Sequence, residues 1–599
     1  MKLIFSYVNK HKKLVLLAIL IKFAGSVSEL SLPYILEYII DEVVPSGEIA
    51  KVLIWGSLMF ITAILFRTLN IIANKRAVEN AHNISYEMRQ RLFEKTMYLD
   101  GNQFDETGLP SLISRMTSDS YNVQSFTQQL QSLCVRAPML LIGGLIMTML
   151  MDFKLSLILI LLLPIVILII YFITSRGIPM FTKVQQKLDT VVRIMRENIT
   201  GIRVVKALSK EDFEKRRFNA ANSEMTKSDI SAATVMAMPG PLIQFFLNIG
   251  LSIVVFYGSY RVNQGEIKPG VILAFLTYFN MITMGVMGLT RIFTTLSKAS
   301  ASANRIASVL DLEDKESVPS VKSDTEKSSD DHICFDHVSF SYGNRESKPS
   351  TYEKNSDADT IKADFGDESR EKALTDISFT IKKGETLGII GPTGSGKSTI
   401  VNLLMHFYDA EEGIICVDGK NIIDYDKQEL RRKFGTVFQS DMIFQNTLYE
   451  NIDFERKLDA KDINNAVEDA MAGEYVRSLT EGLDYKADIK GANLSGGQKQ
   501  RMFVARALAG NPEILILDDS SSALDYKTDA AMRKAILEHH PNTTLIMIAQ
   551  RVSSVMNMDN ILVLDNGKCI GYGKHEDLLK NCRDYRDTYE IQMGSAVNS

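Results

Sequence analysis

The sequence predicts a two-part chain: a membrane-embedded all-α domain of six helices, followed by an α/β domain of the P-loop type. Three observations predict it. Six apolar segments, near 14–44, 52–74, 131–151, 154–175, 240–260 and 270–293, are each long enough to cross a bilayer, which takes about 20 residues. From residue 332 the pattern changes to short alternating strands and helices. Within that second half, Gly391-Pro392-Thr393-Gly394-Ser395-Gly396-Lys397-Ser398 reads as GxxxxGK[ST] between a strand and a helix.

Bulk properties agree with this division. A chain of 599 residues is too long for one core. Its mean hydropathy near zero averages an apolar first half with a polar second half. The formal net charge of −5 argues against a nucleic-acid binder, which would show a basic excess. Five cysteines without a CxxC pair suggest neither a disulfide framework nor a zinc site. The basic cluster Lys10-His11-Lys12-Lys13 leads into an apolar run too long for a cleavable signal peptide.

The even number of spans returns the chain to its starting side. The N-terminus, 75–130 and 176–235 are rich in Lys and Arg and are therefore expected in the cytoplasm. The outer connections are short, at Val44-Pro45-Ser46-Gly47, Met151-Asp152-Phe153 and Asn263-Gln264-Gly265. Residues 75–99 and 180–219 mix charged and apolar side chains at helical spacing with almost no Gly or Pro, so the spans should continue as helices into the cytoplasm, with a short crossing helix at each tip. Charges in or near the spans include Lys22, Glu29, Arg67 and Arg291. Glu29 lies deepest and is the expected cavity residue; the others should snorkel toward the cytoplasmic leaflet. Met281, Met284 and Met287 offer either an adaptable ligand surface or ordinary helix packing.

The transmembrane domain is thus expected over 1–312, a polar linker over 313–331 and the nucleotide-binding domain over 332–599, with a polar insertion at 343–372. The run Glu385-Thr386-Leu387-Gly388-Ile389-Ile390 is the strand before the phosphate loop. Glycines let the loop's N–H groups curl round phosphate, and the following helix N-terminus adds positive partial charge. Lys397 should reach the β- and γ-phosphates of ATP, and the Ser398 hydroxyl should ligate Mg²⁺. A second buried-strand pattern, Ile514-Leu515-Ile516-Leu517, delivers Asp518 toward the Mg²⁺ shell and Asp519 to the position of a water-orienting base.

Leu494-Ser495-Gly496-Gly497-Gln498-Lys499-Gln500-Arg501 resembles the signature sequence of ABC transporters. Further resemblances surround it in the order of that family. Tyr342 resembles the aromatic residue stacked on adenine, Gln439 the Q-loop glutamine that senses Mg²⁺ and the membrane domain, and Ser522-Ala523-Leu524-Asp525 the D-loop. Phe104-Asp105 with Thr107-Gly108 and Ser114-Arg115-Met116-Thr117-Ser118-Asp119 resembles the first cytoplasmic loop of ABC exporters, and Gly201-Ile202-Arg203-Val204-Val205-Lys206-Ala207 the second. The chain is identified on these residues as an ABC exporter half-transporter, an ATP-driven translocase.

The resemblance implies that two halves pair head to tail, with each ATP between one chain's phosphate loop and the other chain's signature. The residues so assigned to nucleotide are Tyr342, Gly391, Pro392, Thr393, Gly394, Ser395, Gly396, Lys397, Ser398, Thr399, Gln439, Asp518, Leu494, Ser495, Gly496, Gly497, Gln498 and Asp525; those assigned to Mg²⁺ are Ser398, Gln439 and Asp518; and those assigned to hydrolysis are Asp519, Gln550 and Gln439. Two positions depart from the family's pattern. Asp519 stands where a glutamate is usual and is shorter by one methylene, about 1.5 Å. Gln550 stands where a histidine normally contacts the γ-phosphate. A weaker departure is Ile489, where a glutamate often stands. Because the ATP-binding elements are all kept, the combination resembles the degenerate-site subunit of heterodimeric exporters. The expected partners are a second half-transporter, the lipid bilayer of the plasma membrane and a hydrophobic or amphipathic substrate. No peptidase domain precedes the first span, so leader-peptide cleavage is not expected. The alternatives are a slow homodimeric exporter and an ATP-gated channel or regulatory membrane protein.

Overall fold

The computed structural model describes residues 1–313, 331–343, 372–520 and 523–597. Most of the expected linker and insertion, and Ser522 of the D-loop motif, lie outside these residues. The chain divides into two compact units: Met1–Lys95 with Pro110–Leu312, and Thr96–Leu109 with Glu313–Ser599.

In the first unit six helical stretches are long and apolar enough to cross a membrane: Lys12–Val43, Ile49–Met97, Leu109–Met151, Phe153–Thr200, Glu211–Asn263 and Pro269–Leu310. The second runs for 49 residues and the fourth for 48. At 1.5 Å per residue each is about 70 Å long, more than twice the hydrocarbon core. The helical extensions expected beyond the membrane are therefore present. Their charged faces hold them together by long-range pairs. Asp119, buried in a π-helical turn of the third span, accepts from Arg305 Nε at 2.9 Å and Ser302 Oγ at 2.8 Å on the sixth. Asn80 donates to Gln131 at 2.8 Å.

Two expectations about intramembrane charge need correction. Lys22 does not snorkel: it is buried, and Nζ donates to Asn70 Oδ1 at 2.6 Å and Asn74 Oδ1 at 3.0 Å on the second span. Amide oxygens on the facing helix supply what headgroup water would otherwise supply. Glu29, expected to face a cavity, is held in a buried pair instead. It accepts a two-pronged pair of bonds from Arg136 on the third span, Nη2 at 2.6 Å and Nε at 3.1 Å, and is itself buried. Arg67 and Arg291 are exposed in the single chain. Met284 and Met287 are exposed as well, while Met281 packs against the cluster of Leu30, Leu140 and Tyr278.

The second unit is built on two sheets. The strands are β1 (Asp331–Phe340), β2 (Leu374–Lys382), β3 (Thr386–Ile390), β4 (Glu412–Val417), β5 (Lys420–Asn421), β6 (Phe434–Val437), β7 (Ile514–Asp518), β8 (Thr544–Ile548), β9 (Asn560–Asp565) and β10 (Lys568–Gly573). An antiparallel sheet has the order β2-β1-β4-β5, and a mostly parallel sheet the order β10-β9-β3-β8-β7-β6. The central parallel strands are buried on both faces, which is why they read as unbroken apolar runs. In β7, Ile514 and Ile516 face the core shared with the antiparallel sheet, while Leu515 and Leu517 face the core under the helices.

Candidate nucleotide site

The parallel sheet sets the geometry of the site. Strands β3, β8, β7 and β6 are neighbours, and the site residues leave their carboxyl ends: the phosphate loop from β3, Gln550 from β8, Asp518 and Asp519 from β7, Gln439 from β6. Ligand crevices in open α/β sheets form at such ends. Here they line a cavity of about 500 Å³ that gathers Tyr342, Thr393, Gly394, Gly396, Lys397, Ser398, Thr399, Gln439, Asp518, Asp519 and Gln550.

The loop's glycines answer to local sterics. Gly394 and Gly396 have φ of +85° and +95°, where a side chain is strained. A Cβ on Gly396 would lie 2.6 Å from Leu374 Cδ2, and one on Gly391 2.2 Å from the Leu564 carbonyl. Gly396 begins α2 (Lys397–Leu404), numbered after α1 (Gly101–Thr107) in the first cytoplasmic loop. Lys397 Nζ donates to the carbonyls of Gly391 at 2.9 Å and Pro392 at 2.7 Å, closing the loop on itself. Ser398 Oγ donates to Asp518 Oδ2 at 2.7 Å.

The electrostatics follow from burial. Burial lowers the Lys397 ammonium from its ordinary range, and Asp518 and Asp519 partly restore it. Burial raises the Asp518 carboxyl; the Ser398 bond opposes the rise, and the neighbouring Asp519 adds to it. Asp519 is raised by burial too, against the pull of Lys397 and Arg551. A site that holds two carboxylates beside one half-buried ammonium favours a bound cation alongside a bound anion. Asp519 is also strained: its φ is +50°, and its N–H donates to the Ile548 carbonyl at 3.1 Å. Gln550 Nε2 reaches Asp519 Oδ2 at 3.5 Å.

Tyr342 is held at the cavity rim. Its hydroxyl donates to Thr399 Oγ1 at 3.1 Å and accepts from Asn402 Nδ2 at 3.2 Å, while its ring meets Tyr408 edge-on at 5.2 Å between centroids. Asn402 and Tyr408 escaped the sequence reading. Asn402 falls one turn beyond the loop, where a polar residue on a helix start is a usable signal. Tyr408 follows the helix in a segment with no motif. Arg506 was missed as well. It ties α3 (Gly496–Leu508) to the segment after Gln439, bonding the carbonyls of Asn451 at 2.7 Å and Met442 at 3.1 Å and the Asp441 carboxylate at 3.2 Å.

The signature residues are not brought to this cavity. Leu494 is buried, whereas Ser495 and Gly496 are exposed at the N-terminus of α3, where Ser495 and Gln498 form a reciprocal cap. Asp525 caps α4 (Tyr526–His539), accepting from Thr528 N at 2.9 Å. A Cβ on Gly497 would approach the Ala523 carbonyl at 3.2 Å, so the signature and the D-loop segment are neighbours. In a single chain they form a second surface, apart from the phosphate loop.

The first-loop helix belongs to this unit. Asp100 and Gln103 form the cap of α1, and the Gly101 N–H donates to the Phe407 carbonyl at 3.1 Å. Tyr408 Oη donates to Asp105 Oδ2 at 2.7 Å. A Cβ on Gly101 would sit 2.6 Å from the Phe407 oxygen, so glycine is what lets the helix approach. The second-loop helix Ile202–Ala207 has no buried residue in the single chain.

Fold and site together define a multi-pass membrane protein joined to a P-loop ATPase domain. Comparison with known proteins identifies the family. Residues 15–286 match the ABC transporter transmembrane region and residues 374–522 the ABC transporter domain. The chain is 31% identical over 590 residues, 98% of each chain, to YfiB of Bacillus subtilis, described as an uncharacterized ABC transporter ATP-binding protein. It is 29% identical over 604 residues to an ATP-dependent lipid A-core flippase of Vibrio vulnificus, covering 99% of this chain and 97% of the flippase. A bacterial Atm1-family ABC exporter solved with ATP bound superposes with a TM-score of 0.76 at 21% identity, covering 97% of this chain and 98% of that one. The chain belongs to the ABC transporter family and has the exporter fold, with its ATP-binding domain on the cytoplasmic side of the membrane.

Proposed function

We propose that this chain is the degenerate-site half of a heterodimeric ABC exporter that moves amphipathic compounds, lipids or peptides outward. The observation that carries the reading is the pairing of Asp519 with Gln550 at 3.5 Å in a cavity that also gathers Tyr342, Lys397, Ser398, Thr399, Gln439 and Asp518. A general base must stand within about 2.6–3.2 Å of its water. A carboxylate withdrawn by a methylene, beside an amide that cannot carry imidazolium charge, binds ATP and hydrolyses it slowly.

Lys397, the Gly391–Ser398 loop and Thr399 hold the phosphates, and Tyr342 faces adenine. Mg²⁺ fits the oxygen donors Ser398, Gln439 and Asp518, where it would neutralise phosphate charge. Leu494, Ser495, Gly496, Gly497, Gln498 and Asp525 complete the partner's site, which accounts for their separation from this chain's own cavity. The exposed helix Ile202–Ala207 suits a surface on the partner. The domain limits that accompany this reading are 1–312, 313–331 and 332–599. Relationship to a lipid flippase favours lipids among the possible substrates.

ATPase activity of the chain purified alone, then co-purified with a second half-transporter, tests the reading. Negligible turnover alone and vigorous turnover in the pair is expected. Vigorous turnover alone would show Asp519 and Gln550 to be competent and the homodimer to be correct.

A further inference from the structure

The antiparallel sheet brings together two cysteines from distant parts of the chain. In the β1–β4 ladder Cys334 faces Cys416 directly. Facing residues of an antiparallel pair present their side chains on the same side of the sheet. Their Cα atoms stand about 4.5–5.5 Å apart, inside the roughly 4.4–6.8 Å that a disulfide bridges without backbone movement. The side is also defined. Ile333 and Phe335 on β1, and Ile415 and Val417 on β4, enter the core between the sheets. The intervening Cys334 and Cys416 therefore point to the opposite face, where both line a groove with Asp331, Asp336, Thr380 and Tyr572. Both are thiols, Cys334 half-buried and Cys416 buried. Among the described residues no other two of the five cysteines share a ladder position.

We propose that Cys334 and Cys416 are a redox modification site that forms a reversible intrachain disulfide with peroxide oxidants. The more accessible Cys334 thiolate attacks one peroxide oxygen, an S–O bond forms as the O–O bond breaks, and the departing hydroxide takes up the proton that the thiol released, leaving a sulfenic acid and one water. The Cys416 thiolate then attacks the Cys334 sulfur, the S–S bond forms as the S–O bond breaks, and the departing hydroxide takes up the Cys416 proton as the second water. Two electrons pass from the two sulfurs to one peroxide. Two equivalents of a thiol reductant reverse the step by exchange. A bridge between adjacent strands closes on a ladder that is already hydrogen-bonded, and the half-buried Cys334 side of the groove leaves one sulfur open to an exchanging thiol. The bridge would also reach the nucleotide site. From Cys334, β1 passes through a register irregularity between Asp336 and Ser339 and ends two residues before Tyr342. Pinning β1 to β4 restricts the strand that carries this aromatic side chain to the cavity rim.

The test uses the full-length chain, reduced and then exposed to stoichiometric hydrogen peroxide. Peptide mapping without reductant should show a Cys334–Cys416 linked peptide that dithiothreitol removes. Cys416→Ser should instead leave Cys334 as a sulfenic acid trapped by dimedone, and Cys334→Ser should show neither product. Fluorescent ATP-analogue titration should show a reversible change of midpoint in the oxidised wild type and none in Cys334→Ser treated alike. Recovery of both cysteines as alkylatable thiols, or their oxidation without the linked peptide, would overturn the site. A linked peptide with an unmoved midpoint would overturn its connection to nucleotide.

Discussion

At the scale of single residues, one methylene and one imidazole separate Asp519 and Gln550 from the glutamate and histidine usual at these positions. Asp519, proposed to stand at the base position, has its backbone in the left-handed region and its carboxyl raised by burial, and Gln550 reaches it at 3.5 Å. Asp519→Glu restores the missing length. It should raise hydrolysis at this chain's site by at least about tenfold, since a positioned general base contributes on the order of 10²–10⁴. Phosphate release from a pair whose partner site has been silenced measures this directly. An unchanged rate would mean that the site is limited by Gln550 or by domain closure. The loop proposed to hold phosphate was legible in the sequence because the chemistry of a phosphate loop forces a short, contiguous pattern, Gly391 to Ser398. Lys22 and Glu29 were read less well. A lone charge in an apolar run shows its cost, but its partners, Asn70, Asn74 and Arg136, lie on other helices at no fixed spacing.

At the scale of elements, the helix α1 and the phosphate-loop helix α2 are linked through two aromatic residues, Tyr408 and Tyr342. Asp105 on α1 accepts from Tyr408, whose ring meets that of Tyr342, whose hydroxyl in turn bonds Thr399 on α2. Tyr408→Phe removes the first bond and keeps the ring stacking. It should leave ATP affinity near wild type while weakening the stimulation of ATPase by transported substrate; equal loss of both would mean that Tyr408 acts only on the nucleotide. Gly101→Ala is a harsher test. Its Cβ would meet the Phe407 carbonyl at 2.6 Å, an overpacking that costs about 1–3 kcal/mol. A lowered midpoint of thermal unfolding, with uncoupled ATPase, is the expected result. Within the membrane unit, Arg136→Ala strands Glu29 as a buried, unpaired carboxylate, a loss of about 3–5 kcal/mol. Adding Glu29→Gln should recover much of that in detergent-solubilised melts. The cytoplasmic extensions of the spans were legible from helical spacing in 75–99 and 180–219, and α2 from its place directly after the phosphate loop. Their docking was not, because Asp105 and Tyr408 are 303 residues apart and no local pattern joins them.

At the scale of the whole molecule, the single chain holds two half-sites that never meet within it: the cavity of β3, β6, β7 and β8, and the capped N-terminus of α3 beside Asp525. That separation follows from topology. The phosphate loop opens the helix after β3 and the signature opens a separate helix, α3, and under the proposed reading a second chain joins them. Six spans and the change of pattern at 332 were legible because lipid and water impose different periodicities on the chain. The dimer was legible only through the family. Symmetry then decides what mutation does. In a C2 homodimer, Lys397→Ala disables both sites at once. In an asymmetric pair it removes phosphate contact only at the slow site, while Ser495 and Gly497 still complete the partner's fast one. Lys397→Ala in this chain should therefore lower turnover of the pair about twofold to tenfold, by loosening domain closure. The same change in the partner should remove a hundredfold or more, the scale of deleting a charge-stabilising group from a working site. Steady-state ATPase of the two singly substituted pairs, reconstituted side by side, separates the cases, because equal and near-complete loss from both is what a symmetric engine requires.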